Sequence, residues 1–261
     1  MPHSEGAVLR HPGEEVTPQT VQRVQQAPFV LQGSTDHFVI NYQADLGSPG
    51  AALAQAVLAA CEADYSTVQG WFGGLTPGGL PFTCFIVKGS FGAFHSTCVD
   101  TQLHLAAFDE TNGELVEMVN MAEVVEVFSA AQKAGWDCGA SNGEGLSRVL
   151  ATELHPSQLD GFATAAAWLR SPRPNFVEVN DPTDRNPVSI GCAALFLNYL
   201  HHQLGFAWAA IVTKGGPTLA ATYATLTGGK QDGWQDFSSL LASHFPPGSP
   251  VNVTGDNVFP L

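Results

Sequence analysis

Residues 115–131 form the segment that most constrains how this chain can fold. The segment is apolar almost all the way round, which is typical of a helix buried on every side. It nevertheless contains Glu123 and Glu126, which are three residues apart and therefore neighbours on one helix face. Because buried carboxylates need partners, the fold must supply donors or cations to them. Asn120, which lies between Glu117 and Glu123 in the sequence, is a candidate for holding charge or substrate. Glu117 is predicted to face solvent.

A second helix is expected to begin near residues 141–143, after a glycine-containing turn. Glu144 falls in its first turn, and Arg148 lies four residues later on the same face, within reach of the carboxylates. Glu144 could belong to the buried acidic cluster or form a capping box with Ser141. Arg148 could likewise form a buried ion pair with Glu126.

The composition predicts a large core and excludes polyanionic partners. Of 261 residues, 44% are hydrophobic and only 13% are charged, so disorder is not expected. The formal net charge is −14, and the few lysines are scattered singly, which argues against nucleic acid and an anionic membrane surface as partners. With no signal peptide visible and no run of about 18 apolar residues, we expect a cytoplasmic or otherwise soluble protein. The oligomeric state is not predicted.

The five cysteines do not form a recognisable framework. Their number is odd, their spacings are wide and no CxxC occurs, so neither a zinc ribbon nor a set of disulfides is indicated. Cys98 and Cys138 could form one bridge, and several of the cysteines could equally serve as small buried side chains.

Hydrophobic periodicity predicts strands first and helices afterwards, which is an α+β arrangement. We expect a loosely attached polar arm over 1–27, a β-rich lobe with one long helix over 28–114, and a helical lobe over 115–261. The sheet is expected to be small and mixed. Its strands are predicted within residues 28–33, 36–43, 81–87 and 92–109, and the long helix over 51–73.

The order of these elements resembles the gluzincin metallopeptidases, the superfamily that includes thermolysin and the zinc aminopeptidases. The resemblance runs over about residues 36–245 and implies a zincin-like fold with a cleft between the lobes. In that family the active-site helix carries HExxH, and the next helix carries a third zinc ligand in a segment like NEGxA. Residues 122–126 read AEVVE here, and residues 143–147 read GEGLS.

This chain keeps the family's residue type at two functional positions and replaces it at two others. Glu123 stands at the general-base position and Glu144 at the third-ligand position, whereas Ala122 and Glu126 replace the two histidines. A catalytic zinc needs three protein ligands, Ala122 offers none, and two glutamates alone are hard oxygen donors that favour calcium or magnesium. Arg148 can occupy the place where the family holds its metal. We therefore predict no zinc, no other metal and no cofactor.

The histidines offer one further candidate. His95 lies on the strand before the active-site helix, which lines the cleft in the resembling family, so it could hold substrate or charge. A lone strand histidine can also be purely structural. His155 is expected to cap the second helix, and His201 and His202 to be surface or capping groups.

The leading functional hypothesis is a metal-independent acid–base enzyme, a hydrolase or lyase that acts on a small molecule or glycan. Glu123 would act as base or acid, and Glu126 and Glu144 would tune it. Two carboxylates this close cannot both ionise freely, so we expect one pKa to rise. Arg148, Asn120 and His95 would hold substrate or charge, as argued above.

Two alternatives remain open at this point. The chain could be a pseudopeptidase that binds a small molecule, glycan or peptide without turnover, its cleft blocked by the glutamate–arginine pair. It could also be a metallopeptidase with an unusual ligand set that recruits His95 or His104.

Overall fold

The alternating segments form one mixed sheet, as the sequence predicts. A computed structural model describes residues 16–90, 92–107, 109–157, 162–230 and 233–261, together with the backbone of residues 8–9. Within them the strands are β1 (Val8–Leu9), β2 (Phe29–Ser34), β3 (Phe38–Gln43), β4 (Phe82–Val87), β5 (Ala93–Phe94) and β6 (Gln102–Ala106). Their order across the sheet is β1-β5-β6-β4-β3-β2. The central strands β3, β4 and β6 run parallel, whereas β2, β5 and β1 pair antiparallel with their neighbours.

The helices follow mostly after the sheet, so the α+β prediction is confirmed. They are α1 (Pro18–Gln25), α2 (Gly47–Trp71), α3 (Gly113–Gln132), α4 (Ser141–Leu154), α5 (Ala165–Arg170), α6 (Pro187–Asn198), α7 (Trp208–Thr213), α8 (Leu219–Thr227) and α9 (Gly233–His244). A 3-10 turn at Ala44–Leu46 precedes α2, and a π-helical turn at Tyr199–Gln203 extends α6. Among the described residues, no helix combines the length and apolarity that crossing a membrane requires.

The predicted buried helix is α3. Its first turn is capped by Asn112, whose side chain accepts a hydrogen bond from the Leu115 N–H, and it ends at Lys133 in the left-handed region. Every side chain from Leu115 to Ser129 is buried. This follows from its position, because α3 packs against α2, α4 and strands of the sheet.

Alternation along β4 divides the apolar residues between the two faces of the sheet. Cys84 and Ile86 belong to the main core with α2 and α3, whereas Val87 and Phe85 pack on the other face beside Val24 of α1. Within the predicted arm, residues 18–25 form helix α1, whose Val24 is buried on this face of the sheet. The rest of the arm lies largely outside the described residues.

One apolar core crosses the predicted boundary at residue 114. It contains Ile40 and Leu105 from strands, Val57 from α2, Val125 from α3, and Phe259 near the carboxyl end. The strands and the later helices are therefore stabilised by the same core, which is why α3 is apolar on every side.

Candidate functional site

His95 joins the two acids of α3. Its imidazole Nε2 lies 2.9 Å from Glu126 Oε2 and 3.7 Å from Glu123 Oε2. Its Nδ1 lies 3.2 Å from the Asp100 backbone oxygen. Because a carbonyl oxygen and a carboxylate both accept hydrogen bonds, the ring satisfies both partners when both of its nitrogens carry protons.

The electrostatics of His95 agree with this geometry. Burial alone lowers the pKa of an imidazole, but the hydrogen bond and negative charge of Glu126 outweigh it and raise the pKa of His95 above its ordinary value. The His95–Glu126 pair is thus a buried, charge-assisted contact that couples the end of β5 to the middle of α3.

Helix α4 supplies the second half of the site. Arg148 Nε donates a 2.7 Å hydrogen bond to Glu144 Oε1, and Arg148 Nη1 donates one of the same length to the Phe162 carbonyl. Ser147 Oγ lies 3.0 Å from the Glu144 carbonyl and 3.3 Å from Glu126 Oε1, so it links the two helices.

Two sequence predictions about α4 are wrong. Arg148 pairs with Glu144 one turn away on its own helix, and not with Glu126, whose carboxylate is bonded to His95 and Ser147. The capping box is also absent, because the helix N-cap is Ala140 and the Ser141 hydroxyl donates to Asn180 Oδ1 at 3.0 Å. The Glu144 side chain is therefore available to accept a hydrogen bond from Arg148.

Glu144 has a raised carboxyl pKa. Complete burial, reinforced by the charge of Glu126, outweighs Arg148 and raises the pKa of Glu144 to about 8. Its second oxygen has no hydrogen-bond partner within the described part of the chain.

We call His95, Glu123, Glu126, Glu144, Ser147 and Arg148 the Glu126 cluster. None of the six is more than 4% exposed, and His95, Glu123, Glu144 and Ser147 are 0% exposed. A cavity of about 370 Å³ lies beside the cluster, between α1 and the end of β5. Of the six, His95 alone borders this cavity, together with Phe94, Ser96, Gln22 of α1 and the cationic Arg185. The cluster is therefore a closed network with one member at a cavity wall.

Asn120 and Glu117 belong to a different site. Asn120 Nδ2 donates to Glu117 Oε2 at 3.1 Å, and Cys84 Sγ donates to Asn120 Oδ1 at 3.2 Å. Glu117 is 1% exposed, so the prediction that it faces solvent is wrong. Burial and the nearby charge of Asp64 raise its pKa well above the ordinary value. We call Asp64, Cys84, Glu117 and Asn120 the Glu117 cluster.

Four other histidines among the described residues have partners outside the Glu126 cluster. His104 is stacked between Phe85 and Phe94, and burial lowers its pKa to about 4. His155 ends α4, as expected, with its N–H bonded to the Ala151 carbonyl, and its ring lies 3.0 Å from Asp64. His201 and His202 are half-buried and contact Phe206 and Glu153, respectively.

A disulfide joins Cys98 and Cys138, whose Cα atoms are 5.9 Å apart. The spacing of 40 residues made this pair one possibility, but nothing in the sequence indicated that it lies against the acids. Cys138 Sγ, a His95 ring nitrogen and a Glu126 oxygen all lie within 4.8 Å of one another. Sequence analysis missed this juxtaposition, because the three residues come from two loops and a helix.

The zinc-ligand set of the resembling family does not fit these residues. Ala122 presents a methyl group, and the guanidinium of Arg148 lies against Glu144, where a cation would otherwise bind. No family model, curated protein or solved structure matches the chain. The geometry of this molecule is therefore the basis for proposing a function.

Proposed function

We propose that this protein is a zincin-like pseudopeptidase that binds an extended peptide along the edge of its sheet. The observation that carries the proposal is the antiparallel pairing of Val8–Leu9 with β5, in which Val8 lies opposite Phe94 and Leu9 opposite Ala93. Strand β5 thus already accepts an extended segment, and strand addition is a common mode of peptide recognition.

The closed Glu126 cluster supports binding over turnover. A reacting group must reach its substrate within hydrogen-bond distance, and the Glu123 side chain is 0% exposed behind His95. The guanidinium of Arg148 already contacts the Glu144 side chain. In the zincin-like arrangement we propose, β5, α3 and α4 would form the walls of a cleft whose catalytic centre has become structural.

The same strand edge defines an experiment on the full chain. Proline cannot donate to a strand ladder, so the double variant Val8→Pro/Leu9→Pro should release β5. A fluorescein-labelled peptide of residues 4–13 should then bind the variant at least about 10-fold more tightly than the wild type, since the internal competitor is lost. Fluorescence anisotropy gives both affinities, and mass spectrometry should find the peptide uncleaved.

A scrambled peptide of the same composition is the control. Equal affinity of both proteins for the labelled peptide, or equal binding of the scrambled one, would contradict strand addition at β5. Cleavage of the peptide would contradict the pseudopeptidase assignment while leaving the binding edge intact.

A second candidate function is metal-independent acid–base catalysis on a small molecule or glycan. It is favoured by one observation, that His95 borders the cavity while Glu126 holds its ring. His95 would transfer the proton and Glu126 would orient it, with Glu123 and Glu144 tuning the charge and Arg185 contacting an anionic group. Because His95 is 0% exposed, this function requires neighbouring residues to move so that the ring becomes accessible to a substrate.

A panel of p-nitrophenyl esters and glycosides tests this candidate. Removing a general acid or base costs about 10²- to 10⁴-fold in rate, so His95→Gln should abolish any turnover that the wild type shows. His104→Gln is the matched control, because His104 is buried between two aromatic rings and does not line the cavity. Turnover that survives His95→Gln would exclude His95 as the proton carrier.

A further inference from the structure

We propose that reduction of the Cys98–Cys138 disulfide creates a zinc site formed by His95, Glu126 and Cys138. These residues already converge, since their ligand atoms lie within 4.8 Å of one another and all three side chains are buried. Ligand atoms on one tetrahedral zinc are roughly 3.3–3.8 Å apart, as follows from zinc–ligand bonds of about 2.0–2.3 Å. Small side-chain shifts are therefore enough to complete the site.

The donor set selects zinc over other common cations. One imidazole nitrogen, one carboxylate oxygen and one thiolate sulfur form a mixed set that suits zinc, whereas calcium and magnesium require oxygen donors. This set shares only position 126 with the HExxH arrangement, whose ligands would come from positions 122, 126 and 144. The fourth position would take water from the adjoining cavity.

The surroundings of two ligands already hold them in place. The Asp100 carbonyl lies 3.2 Å from His95 Nδ1, which leaves Nε2 directed at Glu126 for a metal. Ser147 Oγ lies 3.3 Å from the other Glu126 oxygen. Such partners orient metal ligands and increase their affinity. The 370 Å³ cavity beside His95 offers a path of entry.

The redox step balances with a dithiol as reductant. The dithiol transfers two electrons and two protons to the sulfur–sulfur bond, leaves as its own disulfide, and converts Cys98 and Cys138 to thiols. Zinc then binds the Cys138 thiolate with release of the thiol proton, and it replaces the proton on His95 Nε2. Cys98 groups with Asp137 and Cys138 but not with His95, so it is not a ligand in this site.

The test uses Zn²⁺ alone with the full chain. Wild-type protein, oxidised or reduced anaerobically with a phosphine, is mixed with zinc, desalted and analysed for metal, and Co²⁺ replaces zinc to show thiolate charge-transfer absorption. We expect about one zinc per reduced chain and none per oxidised chain. Cys138→Ser and His95→Gln should lower the affinity of the reduced chain for zinc by at least about 100-fold, since ligand loss exceeds the effect of supporting residues.

Cys98→Ser keeps the proposal testable if reduction unfolds the protein. This variant leaves Cys138 unbridged, so it should bind zinc with no reductant present. Cys192→Ser is the matched control, because Cys192 is a buried free cysteine on α6 that does not belong to the converging ligand set, and it should leave zinc binding unchanged. Absence of zinc from folded Cys98→Ser, or retention of zinc by reduced Cys138→Ser, would overturn the proposal.

Discussion

Helix α3 carries two buried acidic clusters that are stabilised in opposite ways. In the Glu126 cluster the acids contact basic side chains, since His95 Nε2 lies 2.9 Å from Glu126 and Arg148 Nε donates to Glu144. In the Glu117 cluster the carboxyl meets an amide and another acid, Asn120 and Asp64. Glu126 is therefore expected to depend on the charge of its partner and Glu117 on a retained proton, although both residues lie on α3.

The largest expected effect is on the free energy of unfolding, and it differs between the two residues of the buried pair, Glu144 and Arg148. Glu144→Leu should destabilise the protein by about 3–5 kcal/mol, because it removes the oxygen that accepts from Arg148 Nε and leaves the charged guanidinium buried without that acceptor. Arg148→Met should cost roughly half as much, since Glu144, whose pKa is already about 8, can take up a proton. Urea unfolding at pH 7 measures both free energies.

The double variant Glu144→Leu/Arg148→Met is the control for this asymmetry. Replacing both partners of a buried pair with apolar groups is often close to neutral, so much of the lost stability should return. If the double variant lost as much stability as the two single variants together, the two side chains would not be energetically coupled. That result would contradict a pair whose main role is to neutralise each other's buried polar groups.

An effect of intermediate size is expected on the Tm when one glutamate of each cluster is replaced by glutamine, and its sign differs between the two clusters. Glu117 has a raised folded pKa, so the native state binds more protons than the unfolded state above pH 4.5, and stability falls as pH rises through that range. Glu117→Gln mimics the protonated acid and should raise the Tm by roughly 2–4 °C at pH 8. The gain should vanish near pH 4.

Glu126→Gln supplies the comparison in the other cluster. It removes the negative charge that His95 contacts, so it should lower the Tm at the same pH 8. Thermal unfolding followed by circular dichroism from pH 4 to pH 8 gives both curves. If both glutamine variants shifted the Tm in the same direction at pH 8, the distinction between the clusters would be wrong.

The smallest effect concerns two buried serines. Ser147→Ala loses contacts with Glu126 and the Glu144 carbonyl and should cost about 0.5–1.5 kcal/mol. Ser129→Ala, on α3, should be neutral or slightly stabilising, because the Ser129 hydroxyl has no hydrogen-bond partner among the described residues. Guanidinium unfolding resolves the difference, and equal costs would show that the Ser147 contacts add nothing.

The elements were predictable where local pattern decides them. The apolar run of α3, the alternation in β3 and the turn before α4 each predicted the observed segment within a few residues. Arg148 could be placed near Glu144 because both lie on one helix, where spacing determines contact.

Contacts between distant segments were not predictable in the same way. His95 and Glu126 are 31 residues apart and meet only because β5 runs beside α3. Glu117 appeared solvent-facing because its partner Asp64 comes from α2, and Cys84, which bonds to Asn120 beside it, comes from β4. A single sequence does not show which faces of these elements pack together, so the pairing within each cluster emerged only from the structure.

The Cys98–Cys138 bridge also makes the chain between them a covalent ring. That ring contains β6 and α3, and thus Glu117, Glu123 and Glu126, while His95 and Glu144 lie just outside it on either side. A protease that cut at the exposed Glu110–Thr111 turn would open the ring without dividing the molecule. The residues of the Glu126 cluster on either side of the cut would remain covalently connected until the disulfide was also reduced.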